Sequence, residues 1–321
     1  CALPICSLVY YTKALALREF AGDKKGIAVT SNNIGIVHYQ RGNHEQALGY
    51  YLKAQRLMEA LGDSVNSAVY LNNIGITYRD WGKTDEALAH FKRALSIGRA
   101  AGNSFAIGYS LNNIGTVYEK KGDHDAALGY YRQSLGQYRS RNDRRGLMFS
   151  MNSLGRLFNL TGHPDSALSY ASEALAVARE TKDREQQANA LAAIGLARMH
   201  ARDFGNARAS FEESLRLSRS IGTRGQAKDI LLHVSDLCER TGDMRNALAY
   251  HRGYTTLKDS LFNEEVSRNI EKLKIEYETE KIRHENTILR MKNTIQAAAI
   301  RRNTTIILLF CALLVVIALS T

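Results

Sequence analysis

Apolar residues recur along this chain at helical spacing, and the pattern itself then repeats. In one stretch they fall at Leu71, Ile74 and Tyr78, then at Ala87, Leu88, Phe91 and Leu95. That spacing predicts two amphipathic helices, A and B, rather than strands. The segment Leu71-Asn72-Asn73-Ile74-Gly75 returns 40 residues later as Leu111-Asn112-Asn113-Ile114-Gly115, and 40 residues earlier as Ser31-Asn32-Asn33-Ile34-Gly35. Degraded copies follow at Met151-Asn152-Ser153-Leu154-Gly155, Leu191-Ala192-Ala193-Ile194-Gly195 and Leu231-Leu232-His233-Val234-Ser235. A fixed period of this length predicts a solenoid of stacked helix pairs, each unit packing on its neighbours.

The polar positions repeat with the same period. Gly42, Gly82, Gly122, Gly162 and Gly242 sit where helix A is expected to end in a left-handed turn. Asn43, Asp123, Asp203 and Asp243 follow them as expected caps of helix B, and Pro164 suits the first turn of a helix. Alanine recurs at 47, 87, 127, 167, 207 and 247, marking a place where two helices approach closely.

Composition narrows the function classes. Only two prolines in 321 residues fit an all-α chain. The net charge of +11 is scattered through the repeats without a basic stripe and interleaved aromatics, so no nucleic-acid partner is expected. Cys1, Cys6, Cys238 and Cys311 show neither paired nor metal-ligand spacing. Gly82-Lys83-Thr84 looks like the end of a phosphate loop, but Thr77 stands where the earlier glycine is required. His284-Glu285 lacks the second histidine of a zinc-protease helix. No catalytic residue, metal site or cofactor is expected in this chain.

The small residue of helix A, the tyrosine three further on (Tyr78, Tyr118), the alanine of helix B and the aromatic four after it (Tyr51, Phe91, Tyr131, Phe211) resemble the tetratricopeptide repeat. His38, Phe158, Arg198 and Cys238 depart from the tyrosine column, and Ala171 and His251 from the aromatic one. The unit has 40 residues rather than the family's 34 and lacks the proline after helix B. The resemblance implies an all-α, right-handed superhelix (an α-solenoid) over residues 6–256, with a partial first unit and six units from about residue 28.

It also implies that the A helices line a concave groove. A peptide or protein ligand is expected there, met by Asn32, Asn33, Asn72, Asn73, Asn112, Asn113 and Asn152, with Arg79, Arg156, Glu119 and Asn159 setting specificity. A side-chain amide carries both donors and an acceptor and can pair with an extended backbone of any sequence. The same amides can instead bridge neighbouring helices, and both readings stand at this point.

From residue 257 to 302 the period stops, and no Gly or Pro occurs. Val266, Ile270, Leu273 and Tyr277, then Ile288, Met291, Ile295 and Ala298, follow the spacing of a coiled-coil seam. A homodimer through this long charged helix is expected; a single helix capping the solenoid is the alternative. Residues 303–321 carry no charge and are expected to be a truncated transmembrane helix, with a buried core helix as the alternative. Residues 1–5 are expected to be a translated sequencing-adapter artefact.

Repeats, then a charged helix, then one span resemble the input half of bacterial membrane histidine kinases and regulators. That resemblance implies a two-component sensor in the cell membrane, its repeats outside the cytoplasm and a kinase domain beyond residue 321. The basic flank of Arg290, Lys292, Arg301 and Arg302 argues for the opposite orientation. A tail-anchored scaffold without an output domain is the alternative.

Overall fold

The computed structural model describes residues 3–320, leaving out the side chains of residues 3–7, 268, 271–273, 275, 276, 279, 282, 284, 285, 298, 299 and 306–320. Among the described residues it is helical and turn throughout: α1 (Leu3–Phe20), α2 (Lys24–Gln40), α3 (His44–Ala60), α4 (Ser64–Asp80), α5 (Thr84–Ala100), α6 (Ser104–Lys120), α7 (His124–Ser140), α8 (Arg144–Leu160), α9 (Pro164–Glu180), α10 (Arg184–His200), α11 (Phe204–Ile221), α12 (Arg224–Arg240) and α13 (Met244–Ser320). The chain divides into two compact units, Cys1–Lys258 and Asp259–Thr321.

Within the first unit each repeat is an A helix (α2, α4, α6, α8, α10, α12) followed by a B helix. The turns between them explain the regularity. The second turn residue takes a left-handed backbone, as at Gly82 (φ 80°) and Gly122 (φ 81°), and ends the preceding helix. Asn142, Lys182 and Arg202 adopt the same conformation without being glycine. Where the third turn residue is aspartate its side chain caps the next helix, whereas Lys83 and His163 make no side-chain cap. Asp123 and Asp203 accept the backbone N–H of Ala126 and Asn206, and Asp243 that of Asn246. Asn43 makes no side-chain cap, contrary to expectation. Five of the six A helices are capped in the same way, by Asp23, Asp63, Asn103, Asp143 and Asp183, whereas Thr223 makes no side-chain cap for α12.

Two contacts hold each A helix to its B helix. The alanine column, from Ala47 to Ala247, is buried throughout. Beside it, the small residue of helix A lies flat against the aromatic ring of helix B. A Cβ added at Gly35, Gly75, Gly115 or Gly195 would lie 2.7, 2.5, 2.6 or 2.6 Å from Tyr51, Phe91, Tyr131 or Phe211, respectively. Where the aromatic is missing, the clash is missing too: at Gly155 the nearest neighbours, among them the Cβ of Ala171, lie at 3.4 Å. In the last repeat Ser235 replaces the glycine and donates its hydroxyl to the Ala247 carbonyl at 3.0 Å.

A second ring stack lies further along. His38–Tyr50, Tyr78–His90, Tyr118–Tyr130 and Phe158–Tyr170 stack at centroid distances of 5.5, 5.4, 5.3 and 5.6 Å. His38 and Phe158 therefore fill the tyrosine's role. Arg198 replaces the stack with a hydrogen bond to Ser210 at 3.1 Å.

In the second unit the described apolar side chains Ile270, Tyr277, Met291 and Ile295 are exposed. The expected transmembrane helix falls on residues 303–321, of which the side chains of 306–320, and residue 321, lie outside the described residues. Among the described residues no helix is long and apolar enough to cross a membrane. Lys281, Arg283, Arg290, Lys292, Arg301 and Arg302 interrupt the last helix before residue 303. This finding overturns the single-pass membrane localisation and the extracytoplasmic placement of the repeats.

The ring contacts lead to a paired prediction. Gly75→Ala destabilises by about 1–3 kcal/mol, because the added methyl overlaps a fully buried ring. Gly155→Ala stays within about 1 kcal/mol of the parent and gains from helix propensity. Urea unfolding of both variants checks this; equal losses would contradict it.

Candidate functional site

The A helices form the inner layer of the solenoid. Helix α4 packs on α6, α6 on α8, α8 on α10 and α10 on α12, while among the described residues the B helices make no comparable contacts with each other. The asparagines lie on this layer, but they pair diagonally. Asn73 donates to the Oδ1 of Asn32 at 2.9 Å, and Asn113 donates to the Oδ1 of Asn72 at 3.1 Å. Asn72 itself is fully buried and donates to the Ala68 carbonyl and the Ser110 hydroxyl, both at 3.0 Å. These four amides tie consecutive A helices together. Asn33 and Asn112 are half-buried beside them, and the Oδ1 of Asn112 is buried without a partner.

Both arginines are already engaged. Arg79 pairs with its neighbour Asp80 at 2.8 Å, and Asp80 also accepts the Tyr39 hydroxyl at 2.5 Å. Arg156 pairs with the Glu119 carboxylate, whose side chain is 8% exposed, and donates to the Tyr131 hydroxyl at 3.3 Å.

A cavity of about 430 Å³ opens on the inner layer between α8, α10 and α12. Of the residues expected in the groove, it brings together Asn152, Arg156 and Asn159 and leaves the others on the earlier helices. One wall is a relay of side-chain amides. Asn152 donates to Gln186 at 2.8 Å, Asn189 contacts the same oxygen at 3.5 Å, and Gln226 donates to Asn189 at 2.7 Å. Asn159 donates to the Ala193 carbonyl at 2.9 Å. Leu196 and Ile230 supply apolar wall, and Asp229 and His233 lie on the α12 side. The sequence reading missed Gln186, Asn189 and Gln226, which lie outside the asparagine pair, and His233, which stands in the column of Asn33, Asn73 and Asn113 without being an amide. The available signal was the decay of the asparagine pair in the later copies. Among the described residues no group of three His, Cys, Asp or Glu side chains is placed to hold a metal ion.

Burial disfavours the charged form of three histidines. It lowers the pKa of His233 below its ordinary value, with His200 acting in the same direction and Asp229 and Asp236 opposing. It lowers His38 and His90 likewise, reinforced by Arg41 and Arg93. Each of these rings stacks on an aromatic partner, His233 on Phe211 at 5.8 Å.

Comparison with known proteins agrees with this geometry. A family model described as "Tetratricopeptide repeat" matches residues 7–60, 26–100 and 107–180, together more than half of the chain. No curated protein matches. Among solved structures, a Rap protein complexed with Competence and Sporulation Factor aligns with TM-score 0.66 at 18% identity, covering 81% of this chain and 72% of that one. The Rap conjugation gene regulator of plasmid pLS20, in complex with the Phr* peptide, aligns with TM-score 0.61 at 18% identity, covering 80% and 74%. BtubC from P. vanneervenii aligns with TM-score 0.58 at 17% identity, covering 69% and 93%. At these identities the likeness is one of fold. None of these matches supports the expected resemblance to membrane histidine kinases.

The histidines set a pH dependence. A histidine whose folded pKa lies below its unfolded value of about 6.5 is more readily protonated in the unfolded chain. Its contribution is present above that value and is lost as pH falls through the folded pKa. The melting temperature should therefore hold near pH 7.5 and fall by about pH 5.5, before the depressed carboxylates Asp63 and Asp80 titrate. A flat profile over that range would contradict the assignment.

Proposed function

This chain belongs to the tetratricopeptide repeat family, and from that premise we propose that it is a peptide- or protein-binding module whose ligand lies in extended form along the inner layer of A helices. The cavity between α8, α10 and α12 carries this reading. Its relay of amides offers donors and acceptors where the inner layer is open. Two structural neighbours are named as complexes with Competence and Sporulation Factor and with the Phr* peptide, which supports a peptide ligand. Asn32, Asn72, Asn73 and Asn113 lie outside the cavity, so the proposal moves the contact residues to Asn152, Gln186, Asn189 and Gln226, with Arg156 at the edge.

The test is selection of random peptides of about twelve residues on the whole chain, long enough at about 3.3 Å per residue to cross three helices. Recovered peptides should bind the Asn152→Ala/Gln226→Ala variant about tenfold more weakly at a temperature where the variant is fully folded. Recovery of no peptide, or undiminished binding by the variant, would refute the reading.

A second copy of the chain is the proposed partner of the long helix. The favouring observation is the exposure of Ile270 (61%), Tyr277 (72%), Met291 (60%) and Ile295 (69%) at seam spacing. Sedimentation of the whole chain should show a dimer that Ile270→Glu/Ile295→Glu converts to monomer. A parent that stays monomeric at every concentration would sink this proposal.

A further inference from the structure

The repeats provide an internal control for the cavity. In α4 and α6 the residues after the leading leucine are both asparagine, and their side chains occupy the space between consecutive A helices. Asn72 is 0% exposed and Asn113 is 5% exposed. In α10 the same two positions are Ala192 and Ala193, and in α8 the second is Ser153. All three line the cavity. Where a side-chain amide would have met the neighbouring helix, Asn159 instead reaches the backbone carbonyl of Ala193. The opening is thus a pair of deleted amides at one turn of the solenoid.

The charge inventory limits what can enter. Arg156 is held by Glu119 and Tyr131, and Asp229 lies 3.1 Å from Lys228. Burial disfavours the charged form of His233. The amide relay supplies neutral donors and acceptors only. A charged group entering here would shed water and meet charged side chains, Arg156 and Asp229, that are already paired with Glu119 and Lys228, so little offsets the cost. An uncharged peptide segment instead exchanges its water for amide contacts on one wall and for Leu196 and Ile230 on the other.

We propose that Ala192 and Ala193 are the specificity-determining residues of this chain, creating a subsite between α8, α10 and α12 for an uncharged stretch of an extended peptide. The inference rests on the groove-binding reading above and refines it. The experiment restores the repeat pattern with Ala192→Asn/Ala193→Asn and measures peptides selected on the parent chain by fluorescence anisotropy. Each selected peptide is also resynthesised with its central residue changed to Asp or to Lys.

The double variant should keep its melting temperature and bind the selected peptides at least tenfold more weakly. The charged peptides should bind the parent at least tenfold more weakly than their neutral forms. If the double variant melts lower, Ala192→Asn alone, at a half-buried position, is read in its place. Peptides that bind parent and variant equally, or a selected core that is charged, would overturn the inference while leaving the groove reading intact. Recovery of no peptide on the parent would overturn both.

Discussion

The solenoid depends on one contact repeated along the chain: a glycine of helix A pressed against an aromatic ring of helix B. At Gly75 and Phe91 the approach leaves no room for even a Cβ. A glycine inside a helix costs about 0.5–1 kcal/mol relative to alanine, so its recurrence requires a compensating contact. The ring supplies it, burying a large apolar surface and setting the distance between the two helices. Because the pair is fixed internally, stacking one pair on the next generates the inner layer.

Most of this was legible from the amino-acid pattern. The 40-residue period, the left-handed turns at Gly42 to Gly242 and the alanine column all follow from backbone and packing rules that act within one repeat. The apparent departures His38 and Phe158 turned out to preserve a ring stack, because the contact asks for a flat ring rather than for tyrosine. Ala171 was a true departure, and its partner Gly155 shows the slack that results.

The site was less legible because it lies between repeats. Aligned copies suggest that each asparagine faces its counterpart 40 residues away. The observed bonds join positions 41 apart, Asn73 to Asn32 and Asn113 to Asn72. Successive A helices are offset, so adjacent columns meet. That offset turns the expected ligand ladder into a structural brace in the early repeats. The cavity then appears where the brace is deleted, at Ala192 and Ala193, and its polar wall is assembled from Asn152, Gln186, Asn189 and Gln226 on three separate helices. Conserving the repeat stiffens the solenoid; departing from it opens a site. The apolar run that suggested a membrane span lies outside the described side chains, and among the described residues no helix is long and apolar enough to cross a membrane.

A double-mutant cycle at Gly75 and Phe91 tests the central contact most directly. Phe91→Ala recreates the slack seen at Gly155 and Ala171, so Gly75→Ala should cost little in that background. The account predicts a coupling energy above about 1 kcal/mol between the two sites. Effects that add within about 0.5 kcal/mol would show that the glycine is not held in place by the ring.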